Sequence, residues 1–222
     1  MSKKQKKEIV DSMRVISLGD SGTGKTSILK RYIENKFDEN NASTIGMEFR
    51  KKNIEIKDGN TILLKLIDSA GQEKYRALAK SYINNVNAVL FVFAFNDKNS
   101  FECLEGWMNL FKESYRGEDY IPMYLVGNKC DLERDVSNDL INQFKEVYKG
   151  IKYYETSAKE NIGINELFLE IAEDLYKILV KEEGNRRNNS RNKLILRTYD
   201  KKKSNKGNCV CSSTSEFTKN KD

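Results

Sequence analysis

The stretch Gly19-Asp20-Ser21-Gly22-Thr23-Gly24-Lys25-Thr26 confines this chain to few folds. It spells G-x-x-x-x-G-K-[ST], and each residue type has a physical role. Glycine at this spacing lets successive backbone N–H groups turn inward around an anion with no Cβ in the way. Lys25 then sets an ammonium against the outer phosphates, and the Thr26 hydroxyl becomes one ligand of Mg²⁺. The flanks agree: Met13–Leu18 reads as a short strand, and Lys25–Asn35 carries Ile28, Leu29, Tyr32 and Ile33 at helical spacing. A loop joining strand to helix aims the helix N-terminus, with its partial positive charge, at the phosphate. The competing reading is a Gly/Ser-rich connector that matches by accident. On it, Ser21, Gly22, Thr23, Gly24, Lys25, Thr26 and Ser27 bind nothing; on the preferred one they form the phosphate cradle.

The rest of the chain supplies a setting for such a loop. Gly46–Lys57 and Thr61–Ile67 read as two strands joined at Asp58-Gly59, a hairpin signal. A helix over Glu73–Ile83 follows, and then strands and helices alternate. The strands fall at Ala88–Phe95, Pro122–Gly127 and Ile151–Glu155, the helices at Ser100–Tyr115, Ser137–Tyr148 and Gly163–Lys181. One early hairpin followed by βα units predicts an α/β fold: a mostly parallel six-stranded sheet, one antiparallel strand, helices on both faces. Ligands in such sheets bind at the carboxyl ends of the strands.

Composition removes several classes. With 222 residues there is room for one domain and tails, and the longest apolar run, Ala88–Phe95, is too short to span a bilayer. No apolar run follows the Lys-rich start, so no signal peptide is expected. The four cysteines, at 103, 130, 209 and 211, do not space like a disulfide framework, which points to a reducing compartment. There is no histidine, so histidine-based acid–base catalysis and histidine-ligated metals are excluded. The net +6 is uneven: residues 184–222 hold 11 Lys/Arg and 3 Asp/Glu, a net +8, leaving −2 on residues 1–183. A basic folded face for nucleic acid is therefore not indicated. The expected organisation is a flexible basic start over 1–11, a monomeric folded domain over 12–181, and a disordered basic tail over 182–222.

Two further clusters stand at strand ends. In Asp68-Ser69-Ala70-Gly71-Gln72 the Asp68 carboxylate can reach Mg²⁺, Gly71 can offer its N–H to a terminal phosphate, and Gln72 can orient an attacking water. By itself an Asp after a strand is more often a cap or turn former. Asn128-Lys129-Cys130-Asp131 closes another apolar strand. A carboxylate only accepts hydrogen bonds, so Asp131 matches the adjacent ring N–H and amine of guanine and repels the acceptor that adenine presents. Asn128 can tie this loop to the glycine-rich one, and the stem of Lys129 can lie over the base. Ser157-Ala158-Lys159 follows the last strand and offers N–H groups to the guanine carbonyl. Isolated, the tetrapeptide would be a surface turn; in this order the clusters point to one guanine-nucleotide site.

GDSGTGKT, Thr44, DSAGQ, NKCD and TSAK, in this order, resemble a small GTPase of the Ras superfamily. Thr44-Ile45-Gly46-Met47-Glu48-Phe49, with Tyr75-Arg76 through Ser81-Tyr82, resembles its Rab branch, and the likeness covers about residues 11–181. The resemblance implies a GTP/GDP switch that hydrolyses GTP slowly with Mg²⁺ and acts in vesicle trafficking on an endomembrane. It implies that Gln72 is catalytic, that Thr44 joins Thr26 and Asp68 around Mg²⁺ in the GTP state, and that Phe37 packs on the base. It also implies that Lys36–Glu48 and Gly71–Tyr82 are switches, met by an exchange factor, an activating protein and effectors. Phe49, Ile67 and Tyr82 resemble an effector-binding triad. Here Ile67 stands where Rab proteins usually carry Trp, Ser69 where Thr is usual and Asn41 where an aromatic is common. The turn Asn84–Asn87 lacks the usual glycine.

The tail resembles a Rab tail in part. Cys209 and Cys211 are spaced like a prenylated pair after Lys201–Lys206, and Leu194-Ile195-Leu196 resembles the motif that contacts a prenylation escort. Eleven residues follow Cys211, so lipidation requires either their removal or internal palmitoylation. Rival readings are a nucleotide-locked binding module, a soluble non-lipidated switch resembling Ran, and a P-loop kinase of small metabolites. Ran ends in an acidic tail, and a kinase leaves Asn128–Asp131 without a role.

Overall fold

The apolar runs read above are the strands of one sheet. A computed structural model of the chain describes residues 9–39, 44–71, 76–117 and 120–181, with side chains from Ser12 onward. Chain order is β1 (Ile9–Leu18), α1 (Lys25–Glu34), β2 (Met47–Glu55), β3 (Thr61–Ser69), α2 (Arg76–Ile83) and β4 (Ala88–Ala94). Then come α3 (Lys98–Glu102), α4 (Leu104–Ser114), β5 (Met123–Asn128), α5 (Asn138–Val147) and β6 (Lys152–Glu155), with a last helix, α6, over 164–181. The chain divides after Lys177 into a first and a second unit. All that follows concerns the first.

The strands lie in the order β2-β3-β1-β4-β5-β6. Only β2 and β3 are antiparallel; β1 pairs with β3 and β4, and β5 with β4 and β6, in parallel. The fold is thus the mostly parallel α/β sheet expected. Every residue of β4 is buried, as an interior strand covered on both faces requires. Phe91, Phe93 and Phe95, two apart and therefore on one face, join the core around Trp107, with Phe91 edge-on to Phe111 and Phe93 edge-on to Phe95 and Phe101. In α6, Ile164, Leu167, Phe168, Ile171 and Leu175 are buried, with Phe168 stacked on Tyr32 at 3.9 Å between centroids.

Where the structure departs from the sequence reading, partner strands and caps are the cause. β1 begins at Ile9 rather than Met13, because Ile9 and Val10 pair with Thr61 and Ile62 of β3 across an irregularity before Ser12. Residues 9–11 thus belong to the sheet, not to the lead-in. β3 runs on to Ser69 because Ser69 and Asp68 pair with Met47 and Glu48. The single helix expected over Ser100–Tyr115 starts two residues earlier, where Asp97 accepts the Ser100 N–H at 3.3 Å, and breaks at Cys103. The glycine-free turn Asn84–Asn87 is held by side chains and backbone instead. Asn87 exchanges backbone and side-chain bonds with Arg14, and the Asn84 side-chain Oδ1 accepts from the Arg116 N–H.

Candidate functional site

The glycine-rich loop leaves β1 at Leu18 and enters α1 at Lys25. Gly24 adopts φ 89°, and a Cβ there would lie 2.2 Å from the Asn128 amide nitrogen, so two loops meet because this residue has no side chain. Nor can Gly24 cap α1 with a side chain, which leaves the first N–H groups of the helix turned toward the cleft. Lys25 is buried and donates to the carbonyls of Gly19 at 2.8 Å and Asp20 at 2.6 Å. Burial pushes its ammonium down to about 8, against the pull of Asp68 and Asp20. A cation so placed favours an anion beside it.

Three oxygens converge next to it. Thr26 Oγ1 donates to Asp68 Oδ2 at 2.6 Å and stands 2.6 Å from Thr44 Oγ1. Burial raises the Asp68 carboxyl above its ordinary value, opposed first by the Thr26 bond and then by Lys25. Ser17 Oγ donates to the Ile67 carbonyl at 3.3 Å, and Ser69 donates to the Ser17 carbonyl, fixing the end of β3 against β1. Two hydroxyls and one carboxylate form an oxygen-only set that suits a hard cation, whose remaining positions fall to phosphate and water. Gly71 approaches the glycine-rich loop so closely that a Cβ would lie 2.3 Å from Asp20 C and Ser21 N. Gln72 lies outside the described residues, as do Asn41 and Tyr75.

The other end of the cleft is closed by Asn128. Its amide nitrogen donates to the Thr23 carbonyl at 2.8 Å, and its oxygen accepts from Thr156 Oγ1 at 3.2 Å and the Ala158 N–H at 3.3 Å. One buried side chain therefore joins the glycine-rich loop, the end of β5 and the loop after β6. Arg31 of α1 grips that last loop, donating to the carbonyls of Ala158 at 2.8 Å and Lys159 at 2.9 Å. Arg134 pairs with Glu155 and anchors the segment after Asp131 to β6; its hydrogen bonds hold the Glu155 carboxyl below the usual range. Lys129 turns with φ 61°, which presents Asp131 to the cleft.

These groups line one cleft of about 400 Å³, in the size range of small-molecule sites. Of the binding residues read from the sequence, Ser21, Gly22, Gly24, Lys25, Thr26, Ser27, Phe37, Thr44, Gly71, Asn128, Lys129, Asp131, Ala158 and Lys159 line it. Thr23, Asp68 and Ser157 are fully buried behind the wall. The sequence reading missed Asp38, Glu39, Ser69 and Leu132 as lining residues, and an ion pair of 2.8 Å between Glu39 and Lys159 beside the cleft. It also missed a tie beneath the glycine-rich loop: Trp107 Nε1 donates to Asp20 Oδ1 at 2.9 Å, and the Arg76 guanidinium lies 5.0 Å over the indole. No local motif announces such contacts, because their partners are far apart in sequence. On the same sheet, away from the cleft, Phe49 is exposed and packs 5.3 Å from Tyr82, while Ile67 is buried beside them.

Comparison with known proteins agrees with this geometry. A family model described as the Ras family matches residues 14–177. The Ras-related protein Rab-13 of Bos taurus is 35% identical over 197 residues, 87% of this chain and 94% of that protein. The Ras-related protein Rab-12 of Mus musculus is 33% identical over 167 residues, 74% of this chain and 68% of its own. The Ras-related protein YPTC6 of Chlamydomonas reinhardtii is 36% identical over 171 residues, 76% and 77% of the two chains.

Proposed function

This chain belongs to the Ras family of GTP-hydrolysing proteins, and from that premise we propose that it is a Rab-like switch in vesicle traffic with slow, Mg²⁺-assisted turnover. The observation that carries the reading is the convergence, on one cleft, of the glycine-rich loop, the Thr26 and Thr44 hydroxyls with Asp68 bonded to Thr26 from behind, and the Asn128 tie. Thr26, Thr44 and Asp68 would hold Mg²⁺, which when bound neutralises charge on the β- and γ-phosphates.

The side chains divide the remaining work. Lys25 and the N–H groups at the start of α1 hold the outer phosphates and stabilise the charge that develops on them. Gln72 orients a water in line with the γ-phosphate. Asp131 accepts two hydrogen bonds from guanine, Ala158 offers its backbone to the guanine carbonyl, and Phe37 and the Lys129 stem cover the base. Thr44 and Gly71 reach toward the γ-phosphate from two different segments, so its loss on hydrolysis releases both. Regulators and effectors read that change at Phe49, Ile67 and Tyr82. No arginine is placed at the γ-phosphate among the described residues, so rapid hydrolysis requires a partner.

Single-turnover hydrolysis tests this reading. The parent should turn over at roughly 10⁻⁴ to 10⁻² per second, the span of intrinsic rates in this class. Gln72→Leu should be slower and still bind GTP; a Gln72→Leu protein at the parental rate refutes the catalytic assignment. A nucleotide-locked binding module would show no turnover in either.

The same reading makes residues 182–222 a membrane-targeting arm, anchored by lipids on Cys209 and Cys211 and by its basic charge. These residues lie outside the described structure, and no described helix is long and apolar enough to cross a membrane. Basic residues near an anionic leaflet contribute about 1 kcal/mol each and are screened by salt, whereas stable anchoring takes two signals. Protein that survives a high-salt wash of membranes, and is released by Cys209→Ser with Cys211→Ser, supports lipidation. Complete release of the parent by salt, with an unmodified mass, leaves a purely electrostatic tail.

A further inference from the structure

A second concavity, of about 460 Å³, lies on the sheet between β1, β2, β3 and the end of α2. Ile67, only 3% exposed, lies at its base; Phe49, 57% exposed, and Tyr82 stand beside it. The strand register gives this surface its chemistry. Phe49 sits opposite Ile67, which neighbours Ile16; two residues along, Lys51 sits opposite Lys65, which neighbours Arg14. Residues two apart share a face, so an apolar row and a row of three cations run side by side across three strands.

Among the described residues that cationic row has no internal explanation. Like charges directly opposite on antiparallel strands are destabilising, yet Lys51 faces Lys65. Among the described residues neither has a carboxylate partner in an ion pair, and the Arg14 guanidinium donates only to the Asn85 carbonyl, at 3.4 Å. On the opposite face, by contrast, Arg50 is paired with both Glu34 and Glu48. Lysine on an edge strand commonly serves to block strand addition, and β2 is an edge. That accounts for Lys51 alone, because Lys65 and Arg14 lie on interior strands. A solvated basic patch would not need the apolar hollow beside it, and a phosphate headgroup would leave Phe49 and Ile67 unused.

We propose that this groove binds an acidic partner segment, with a large apolar side chain seated over Ile67 against Phe49 and its carboxylates on Lys51, Lys65 and Arg14. The inference rests on the reading of Phe49, Ile67 and Tyr82 as a surface that partners recognise, and it adds the partner's charge. The row would stay on the sheet despite its own repulsion because the partner relieves it.

The test uses the full chain loaded with a non-hydrolysable GTP analogue and two labelled helical peptides of equal length. One carries Leu and Phe on one face and Glu on the other; the second replaces every Glu with Lys. Fluorescence anisotropy should show the acidic peptide bound at least tenfold more tightly, with the preference shrinking as salt rises. Lys51→Glu should weaken it about tenfold and at the same time raise Tm by about 1 to 3 °C, because it converts a repelling cross-strand pair into an attracting one. Phe49→Ala should weaken both peptides alike. Equal binding of the two peptides, or a Lys51→Glu protein that binds as the parent does, overturns the proposal. So does charge-dependent binding of phosphatidylserine vesicles without peptide binding, which would make the row a lipid surface. Single-turnover GTP hydrolysis by the same proteins separates the two readings: normal turnover without peptide preference defeats only the groove, and absent turnover with intact preference defeats only the switch.

Discussion

The two ends of the nucleotide cleft are built on different terms. At the base end the chain completes its own bonding, with Asn128 committing nitrogen and oxygen to Thr23, Thr156 and Ala158 and Arg31 holding the loop after β6. At the phosphate end Lys25 and Thr26 also bond within the chain, but two charges remain costly. Lys25 and Asp68 are buried charges whose ionised forms burial disfavours, one pushed down and the other up. On the proposed reading their complements are a phosphate and a cation, which come from the ligand. A base site finished in advance gives specificity; a phosphate site finished by its ligand lets hydrolysis change the protein.

The largest effect should come from breaking the base end. Asp131→Asn replaces an acceptor-only group with one that presents a donor to guanine. The parent should prefer guanine to adenine nucleotides by about 10⁴-fold or more, and the variant should lose that preference and gain affinity for xanthine nucleotides. Competition against a fluorescent GDP measures it; comparable displacement of the parent by ATP and GTP would defeat the assignment.

The phosphate end should answer to metal instead. Chelating Mg²⁺ should speed GDP release from the parent by about 10- to 100-fold, the worth of a charged contact or two. In Thr26→Ala the chelator should matter severalfold less, because one oxygen of the cation site is already gone. Equal acceleration in both proteins would remove Thr26 from that site.

A third variant sharpens the contrast without ligand. Asn128→Ala strands the Thr23 carbonyl and the Ala158 N–H in the interior, so nucleotide-free protein should lose about 1 to 3 kcal/mol. Thermal unfolding of the nucleotide-free protein should show this; an Asn128→Ala protein that melts with the parent would mean that this tie does not hold the base end.

The smallest effect is a pH dependence at the base end. The Arg134 bonds hold the Glu155 carboxyl below its ordinary 4.5. Its contribution is therefore present above that value and lost as pH falls through the lowered one. The pair is partly exposed, so the contribution is under about 1 kcal/mol. Melting curves between pH 5 and pH 3 should fall less steeply in Arg134→Ala than in the parent.

Much of this was legible in the linear sequence because it depends on spacing. The glycine-rich loop is local, as is the Asp58-Gly59 turn, and every strand was located from its own residues, whereas the break at Cys103 that divides α3 from α4 was not. The all-apolar run at Ala88–Phe95 announces a strand buried on both faces, and the order of short motifs brings them to the strand ends of one sheet. What local pattern could not show depends on a neighbour. Ile9 and Val10 look like part of a polar lead-in until β3 pairs with them. Asp68 looks like the residue after a strand until β2 extends the ladder past it.

The sequence by itself determined the kind of fold and most of the residues that gather on one cleft, since each follows from residue type at fixed intervals along the chain. Only the tertiary structure decided that Trp107 props the glycine-rich loop through Asp20, that Glu39 closes on Lys159, and that Lys51, Lys65 and Arg14 stand in one row. The reason is physical. A row across strands is set by register and sheet order, and those are fixed by which faces are buried together, not by any spacing a single strand carries.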